Sequence, residues 1–159
     1  MSITLLPLPN KIKITENHTQ LARDLTIGLA VENPAELMFT ARRLQTALRQ
    51  NAGINAVIAG GHIDADITLK IDPATRRTQG YHLTIDDKIR ITGDDTNGVF
   101  YGVCTLIQLL ETHGATLPHV VIEDMPDFPN RGVMLDISRD KVPRMETLHN
   151  LVDMLASWK

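Results

Sequence analysis

Apolar residues recur with two different periods along this chain, and the order in which those periods alternate limits its fold more than any other feature. Ile67, Leu69 and Ile71 stand at every second position, as do Tyr81, Leu83 and Ile85, and then Ile89 and Ile91. Period two puts these side chains on one face of a strand and the polar ones between them on the other. Asp86-Asp87-Lys88 joins the last two runs as a tight hairpin connection. Ile12 and Ile14, alternating with Lys11 and Lys13, suggest a further half-buried strand, and 26–31, 54–58 and 119–123 are short apolar strand candidates.

Between these runs the period changes to 3.6. Asn33-Pro34-Ala35-Glu36 reads as a helix start, with Asn as cap and Pro at the first helical position. Leu37, Ala41, Leu44 and Leu48 follow on one face, with Arg42, Arg43, Gln45 and Arg49 turned outward, and Gly53 supplies a stop. This predicts a helix over 35–51. Asp94-Asp95-Thr96 offers caps for a second helix over 96–111, with Val99, Val103, Leu106, Ile107 and Leu110 as its apolar stripe. Gly98 and Gly102 share a face of that helix. Glycine inside a helix costs about 1 kcal/mol relative to alanine, so two on one face imply close approach of a neighbouring element. Cys104 in the same helix reads as a small buried apolar residue rather than a reactive thiol.

The pattern breaks at Met125-Pro126-Asp127-Phe128-Pro129-Asn130, which reads as a linker. The domain division is therefore 1–125, a linker over 126–130, and 131–159. In the last part Val133 to Leu135 is continuously apolar, as expected of a strand buried on both faces of a parallel sheet. Pro143 opens a helix in which Leu148, Leu151, Val152, Leu155 and Trp158 share a face. One strand and one helix cannot bury their own apolar faces, so 131–159 reads as the first βα unit of something larger. In isolation it is expected to pack poorly, to dock on the helix face or to associate with another copy.

Composition excludes several function classes. The chain has 159 residues, enough for one domain with an appendage. Its 16 Lys and Arg against 19 Asp and Glu argue against a mainly electrostatic nucleic-acid partner. A single Cys excludes a disulfide scaffold. No apolar run reaches the roughly 18 residues of a transmembrane helix, so no membrane partner is expected. The N-terminal residues lack a basic, then apolar, export signal, which gives cytoplasmic location as the expectation.

Few residues suggest chemistry. His62, Asp64 and Asp66 alternate and could face a metal, although a polar turn leading into a strand is the simpler reading. HExxH, GxSxG and phosphate-loop motifs are absent, and no metal or cofactor is expected. Arg76-Arg77 is a solvated pair in a loop rather than a nucleic-acid stripe. Asp136-Ile137-Ser138-Arg139-Asp140 is the most informative cluster. If the strand before it belongs to a parallel α/β barrel, its C-terminal end faces an active site, and Arg139 there could fork two hydrogen bonds onto neighbouring sugar hydroxyls. On spacing alone an ion pair with Asp136 or Asp140 serves as well. Asp136 and Asp140 as an acid/base pair have little support, since nothing in the sequence indicates the required separation or pKa split.

Gly80 to Ile85, Ile89 to Ile91, Gly98 to Gly102 and Thr105 to Leu110 together resemble the non-catalytic N-terminal domain of the β-N-acetylhexosaminidases, glycoside hydrolase family 20. Arg131 to Arg139 resembles the first barrel strand of the same family. The resemblance is continuous from about Ile67 to Lys159. It implies an α+β fold: a mixed sheet with two helices on one face, followed by the first strand and helix of a truncated (β/α)8 barrel. The implied activity is removal of terminal, non-reducing N-acetylglucosamine or N-acetylgalactosamine with retention, the substrate's own acetamido oxygen attacking the anomeric carbon. In the family an adjacent Asp-Glu pair orients that group and protonates the leaving oxygen. Glu123-Asp124 has the reverse order and precedes the barrel, so it is no match, and the chain is expected to be inactive alone. Arg139 matches the family arginine that holds hydroxyls of the terminal sugar. One position departs: the family often has His after this Arg, and here Asp140 stands, which bears on the sugar subsite. Two other readings are a stand-alone binding module of the same fold, and the accessory domain of an O-GlcNAcase-like or α-glucuronidase-like hydrolase. The Asp136-to-Arg139 spacing argues against the last.

Overall fold

The computed structural model describes residues 3–61, 64–73, 78–138 and 142–159. Seven strands and three helices follow in the order β1 (Lys11–Gln20), β2 (Asp24–Ala30), α1 (Ala35–Ala52), β3 (Asn55–Gly60), β4 (Ile67–Ile71), β5 (Tyr81–Ile85), β6 (Ile89–Gly93), α2 (Thr96–His113), β7 (Thr116–Asp124) and α3 (Met145–Ser157). The strands form one mixed sheet in the order β1-β7-β5-β6-β4-β2-β3. Strands β6, β4, β2 and β3 run parallel, and β6, β5, β7 and β1 alternate in direction. Helix α1 is the crossover from β2 to β3. Helix α2 is the crossover from β6 to β7, which skips over β5.

The period-two pattern becomes rows across this sheet. Ile12, Ile122, Leu83, Ile91, Leu69 and Leu29 are successive register partners, and so are Ile14, Val120, Ile85, Ile89, Ile67 and Ile27. Apart from Ile12 and Ile14 on the edge strand, every member of both rows is buried. The intervening row, Lys13, Val121, Thr84, Arg90, Thr68 and Gly28, lies on the opposite, polar face. A one-residue slip in any strand would exchange the two faces, which is why the register is firmly set. Ile14 is 40% exposed because β1 is an edge strand whose register shifts between Ile14 and His18.

Both amphipathic helices cover the apolar face. Leu37, Ala41, Leu44 and Leu48 of α1 are fully buried, as are Val99, Val103, Leu106 and Leu110 of α2. Contrary to expectation, Pro34 rather than Asn33 is the cap residue of α1 and the helix has no side-chain cap, although Asn33 Oδ1 accepts from Ala35 N at 3.2 Å. Gly53 ends the helix at φ 66°, its N–H bonded to the Arg49 carbonyl. Asp95 caps α2, its Oδ1 accepting from Gly98 N at 2.7 Å. Gly98 and Gly102 do mark close approaches. A Cβ at Gly98 would lie 2.1 Å from the Gly80 carbonyl oxygen, and one at Gly102 would lie 2.6 Å from Ile91 Cγ2.

The part after the linker differs from expectation in two ways. Residues 131–138 form no strand, and Met134 is 95% exposed. An extended segment becomes a strand only when a neighbour takes its N–H and C=O groups, and no strand of the sheet lies beside it. The last helix begins at Met145 rather than Pro143 and buries no residue fully. Among the described residues no helix is long and apolar enough to cross a membrane.

Candidate functional site

Chemistry-bearing side chains gather at one place, where the linker and the end of α3 meet the β5, β7 and α2 layer. Asp124 ends β7, Tyr81 begins β5 beside it in register, and Thr105 projects from the middle of α2. Tyr81 OH lies 2.6 Å from Thr105 Oγ1 and donates to Asp124 Oδ2 at 3.1 Å. Into this group comes the ammonium of Lys159. It donates to Thr105 Oγ1 (2.9 Å), Tyr81 OH (3.0 Å) and Asp124 Oδ2 (3.2 Å). It also sits 5.2 Å from the Tyr81 ring centre. The Lys159 side chain is 6% exposed and that of Asp124 12%. Burial pushes the Tyr81 phenol far above its usual range; the Thr105 hydrogen bond opposes this and the Asp124 charge adds to it. Burial also lowers the Lys159 ammonium, against the pull of Asp124.

Arg131, just past the linker, makes a second junction. Its guanidinium donates to Tyr101 OH (3.0 Å) and Gln79 Oε1 (3.1 Å), and lies 5.4 Å from the Tyr101 ring centre. A cavity of about 210 Å³ opens between these groups, lined by Leu8, Tyr81, Tyr101, Asp124, Arg131 and Lys159 among others. Outside it, Arg43 lies over the ring of Phe100, and Phe39 stacks on Phe100 at 6.1 Å.

The site residue chosen from the sequence, Arg139, lies outside the described residues with Asp140, so neither the sugar contact nor the ion pair is described. Asp136 sits in the exposed stretch before them. Its Oδ1 accepts from Ser138 N at 2.8 Å, and the hydrogen bonds from Ser138 lower its carboxyl pKa. Of the alternating His62, Asp64 and Asp66, His62 is outside the described residues. Asp66 Oδ2 accepts from Thr26 N at 2.8 Å and Asp64 pairs with Lys88, so the two carboxylates do separate structural work. Among the described residues no group of three or more His, Cys, Asp or Glu side chains could hold a metal ion. Arg76 and Arg77 are outside the described residues too. Cys104 is buried, and desolvation pushes its thiol up to about 11.

Sequence reasoning missed the Lys159 group. Its members stand at 81, 105, 124 and 159, and no spacing rule joins them. The available signal was Thr105, a hydroxyl on an otherwise apolar helix face.

Comparison with known proteins agrees with this architecture. The family model for glycosyl hydrolase family 20, domain 2, matches residues 2–125, and the chain belongs to that family. It is 30% identical to a β-hexosaminidase of Porphyromonas gingivalis, over 99% of this chain and 21% of that protein. It is 29% identical to the N,N'-diacetylchitobiase of Vibrio harveyi, over 100% of this chain and 18% of that protein. The chain thus spans about a fifth of the length of these relatives. In fold it is similar to the Streptomyces plicatus N-acetyl-β-hexosaminidase, with a TM-score of 0.82 over 97% of this chain and 32% of that one, at 24% identity.

Proposed function

We propose that this chain is the accessory domain, linker and opening βα unit of a β-N-acetylhexosaminidase. The whole enzyme would remove terminal N-acetylglucosamine or N-acetylgalactosamine with retention, by substrate-assisted hydrolysis. The observation that carries this reading is the family match over 2–125, with relatives whose similarity runs past the linker to the end of this sequence. On this reading 131–138 is the first barrel strand awaiting its neighbours, α3 is the first barrel helix, and the exposed apolar side chains of both face the rest of the barrel. Arg139 then stands at the strand's C-terminal end, where barrel active sites lie, and holds hydroxyls of the terminal sugar. The 159 residues contain no adjacent Asp-Glu pair, so the acid and the acetamido-orienting carboxylate come from elsewhere in the enzyme.

Three measurements test this. A chromogenic β-N-acetylglucosaminide should not be turned over by the pure 159-residue chain, and enzyme-like turnover would refute the division of labour. The native reading frame past Lys159 should encode the further 250 or so residues that a barrel needs, with an Asp-Glu pair at the end of a buried strand. In that longer protein Arg139→Ala should lower kcat/KM by about 10–100-fold, the loss expected for a charged hydrogen-bonding contact. Unchanged kcat/KM would remove Arg139 from the site.

A further inference from the structure

The contacts that helix α3 makes through its own residues are few: Asp153 approaches Arg43 of α1 at 3.9 Å on the surface. At 13 residues it is marginal as an isolated helix, it has no side-chain cap, and it buries no residue completely. Leu148, Leu151 and Leu155 are half-buried, whereas Val152 is 64% exposed. Two residues beyond the helix, however, a lysine side chain is almost fully enclosed. We infer that Tyr81, Thr105 and Asp124 form a socket for a single ammonium group, and that Lys159 occupies it to dock the post-linker segment onto the sheet-and-helix layer.

The geometry matches an ammonium in number and in kind. Lysine carries three donors, and three oxygens from three separate elements (β5, α2 and β7) receive them within 3.2 Å. The Tyr81 ring lies at 5.2 Å, within the reach of a cation–π attraction. Asp124 supplies the opposing charge without which an ammonium would not be buried. Its other oxygen accepts from Asn10 N at 3.1 Å, so the same carboxylate also ties down the N-terminal segment. All three socket residues lie within the family-matched part of the chain, while the lysine comes from 34 residues beyond it. Cys104 Sγ lies 3.7 Å from the Ala156 carbonyl oxygen, which places the end of α3 directly over α2. This inference rests on contacts within the chain and does not depend on the glycosidase reading.

The test uses the 159-residue protein. In the wild type, 15N-labelled lysine should give one slowly exchanging ammonium resonance with cross-relaxation to the Tyr81 ring protons; its absence overturns the socket. Lys159→Met keeps the stem and removes the charge. It should speed amide exchange across α3 by about tenfold or more while the interior of α2 and β5 keeps its protection. Asp124→Asn should act in the same direction, and the double variant should be no worse than the poorer single one. Unchanged α3 exchange in Lys159→Met overturns the proposal. Should either variant unfold as a whole, the wild-type ammonium resonance alone decides.

Discussion

At position 98 the usual rule for helices is reversed. Replacing an interior glycine by alanine ordinarily stabilises a helix by about 1 kcal/mol. Here the added methyl would meet the Gly80 carbonyl oxygen at 2.1 Å, a backbone atom that cannot swing aside. Gly98→Ala is therefore expected to lower stability by about 1–3 kcal/mol, read from urea midpoints, and a raised midpoint would refute the close approach. Gly102→Ala should cost less, because its nearest contact is the Ile91 side chain. The two glycines were legible in the sequence as a close approach, but what they approach was not. Cys104 offers a test of burial. Its thiol, ordinarily near 9.0, stands at about 11 in the fold, so folding disfavours the thiolate. With the folded value raised, its contribution to stability is complete below about pH 9 and is lost as pH rises through about 11. Over that range the loss amounts to at most about 2–3 kcal/mol. Urea unfolding at pH 8 and pH 10.5 should show a shallower alkaline fall in Cys104→Ala than in the wild type. Equal falls would place the thiol in contact with water.

Single carboxylates set the boundaries of whole elements. Asp95 accepts from Gly98 N through one oxygen and from Gln79 N at 2.9 Å through the other. It thus fixes the first turn of α2 and the entry to β5 together. Asp95→Ala should cost about 1–2 kcal/mol, the upper part of the range for a lost cap. Amide exchange should rise at Gly98 and also at Gln79; a change confined to the helix end would show that the two are not coupled. The helices and the strands β4, β5 and β6 were legible because each carries its own periodicity, whereas β2, β3 and β7 were legible only as short apolar runs. Helix ends fell within two residues of expectation: α1 runs to Ala52 and α2 to His113. The order of strands in the sheet was not written in any local pattern. It depends on which apolar rows align, and β4, β5 and β6 have similar alternation. The segment Val133–Leu135 shows the opposite limit. Its composition is that of a buried strand, yet strand structure requires a partner, and among the described residues it pairs with none.

For the whole molecule, the unpaired apolar surface is the feature that most affects behaviour in solution. Val133, Met134, Leu135 and Ile137 lie 43–95% exposed along one short stretch, and Val152 and Trp158 of the neighbouring segment are 64% and 46% exposed. Contiguous apolar surface of this kind is rare on a monomeric protein and marks a site that another surface covers. Composition and periodicity indicated that 131–159 lacked a partner. They could not indicate that Lys159 and Arg131 hold its two ends to the first layer, because that depends on side chains brought together by folding. With the ends held and the middle exposed, the chain at high concentration should bury this stretch against a second copy. Sedimentation velocity should then show a weight-average mass that rises with concentration. Met134→Asp should return the protein to the monomer without altering the unfolding midpoint measured where the wild type is monomeric, since that side chain is 95% exposed. A wild type that stays monomeric at every concentration would show that the exposed stretch is not sticky enough to self-associate. The covering surface would then have to be a dedicated one, as the rest of a barrel would be.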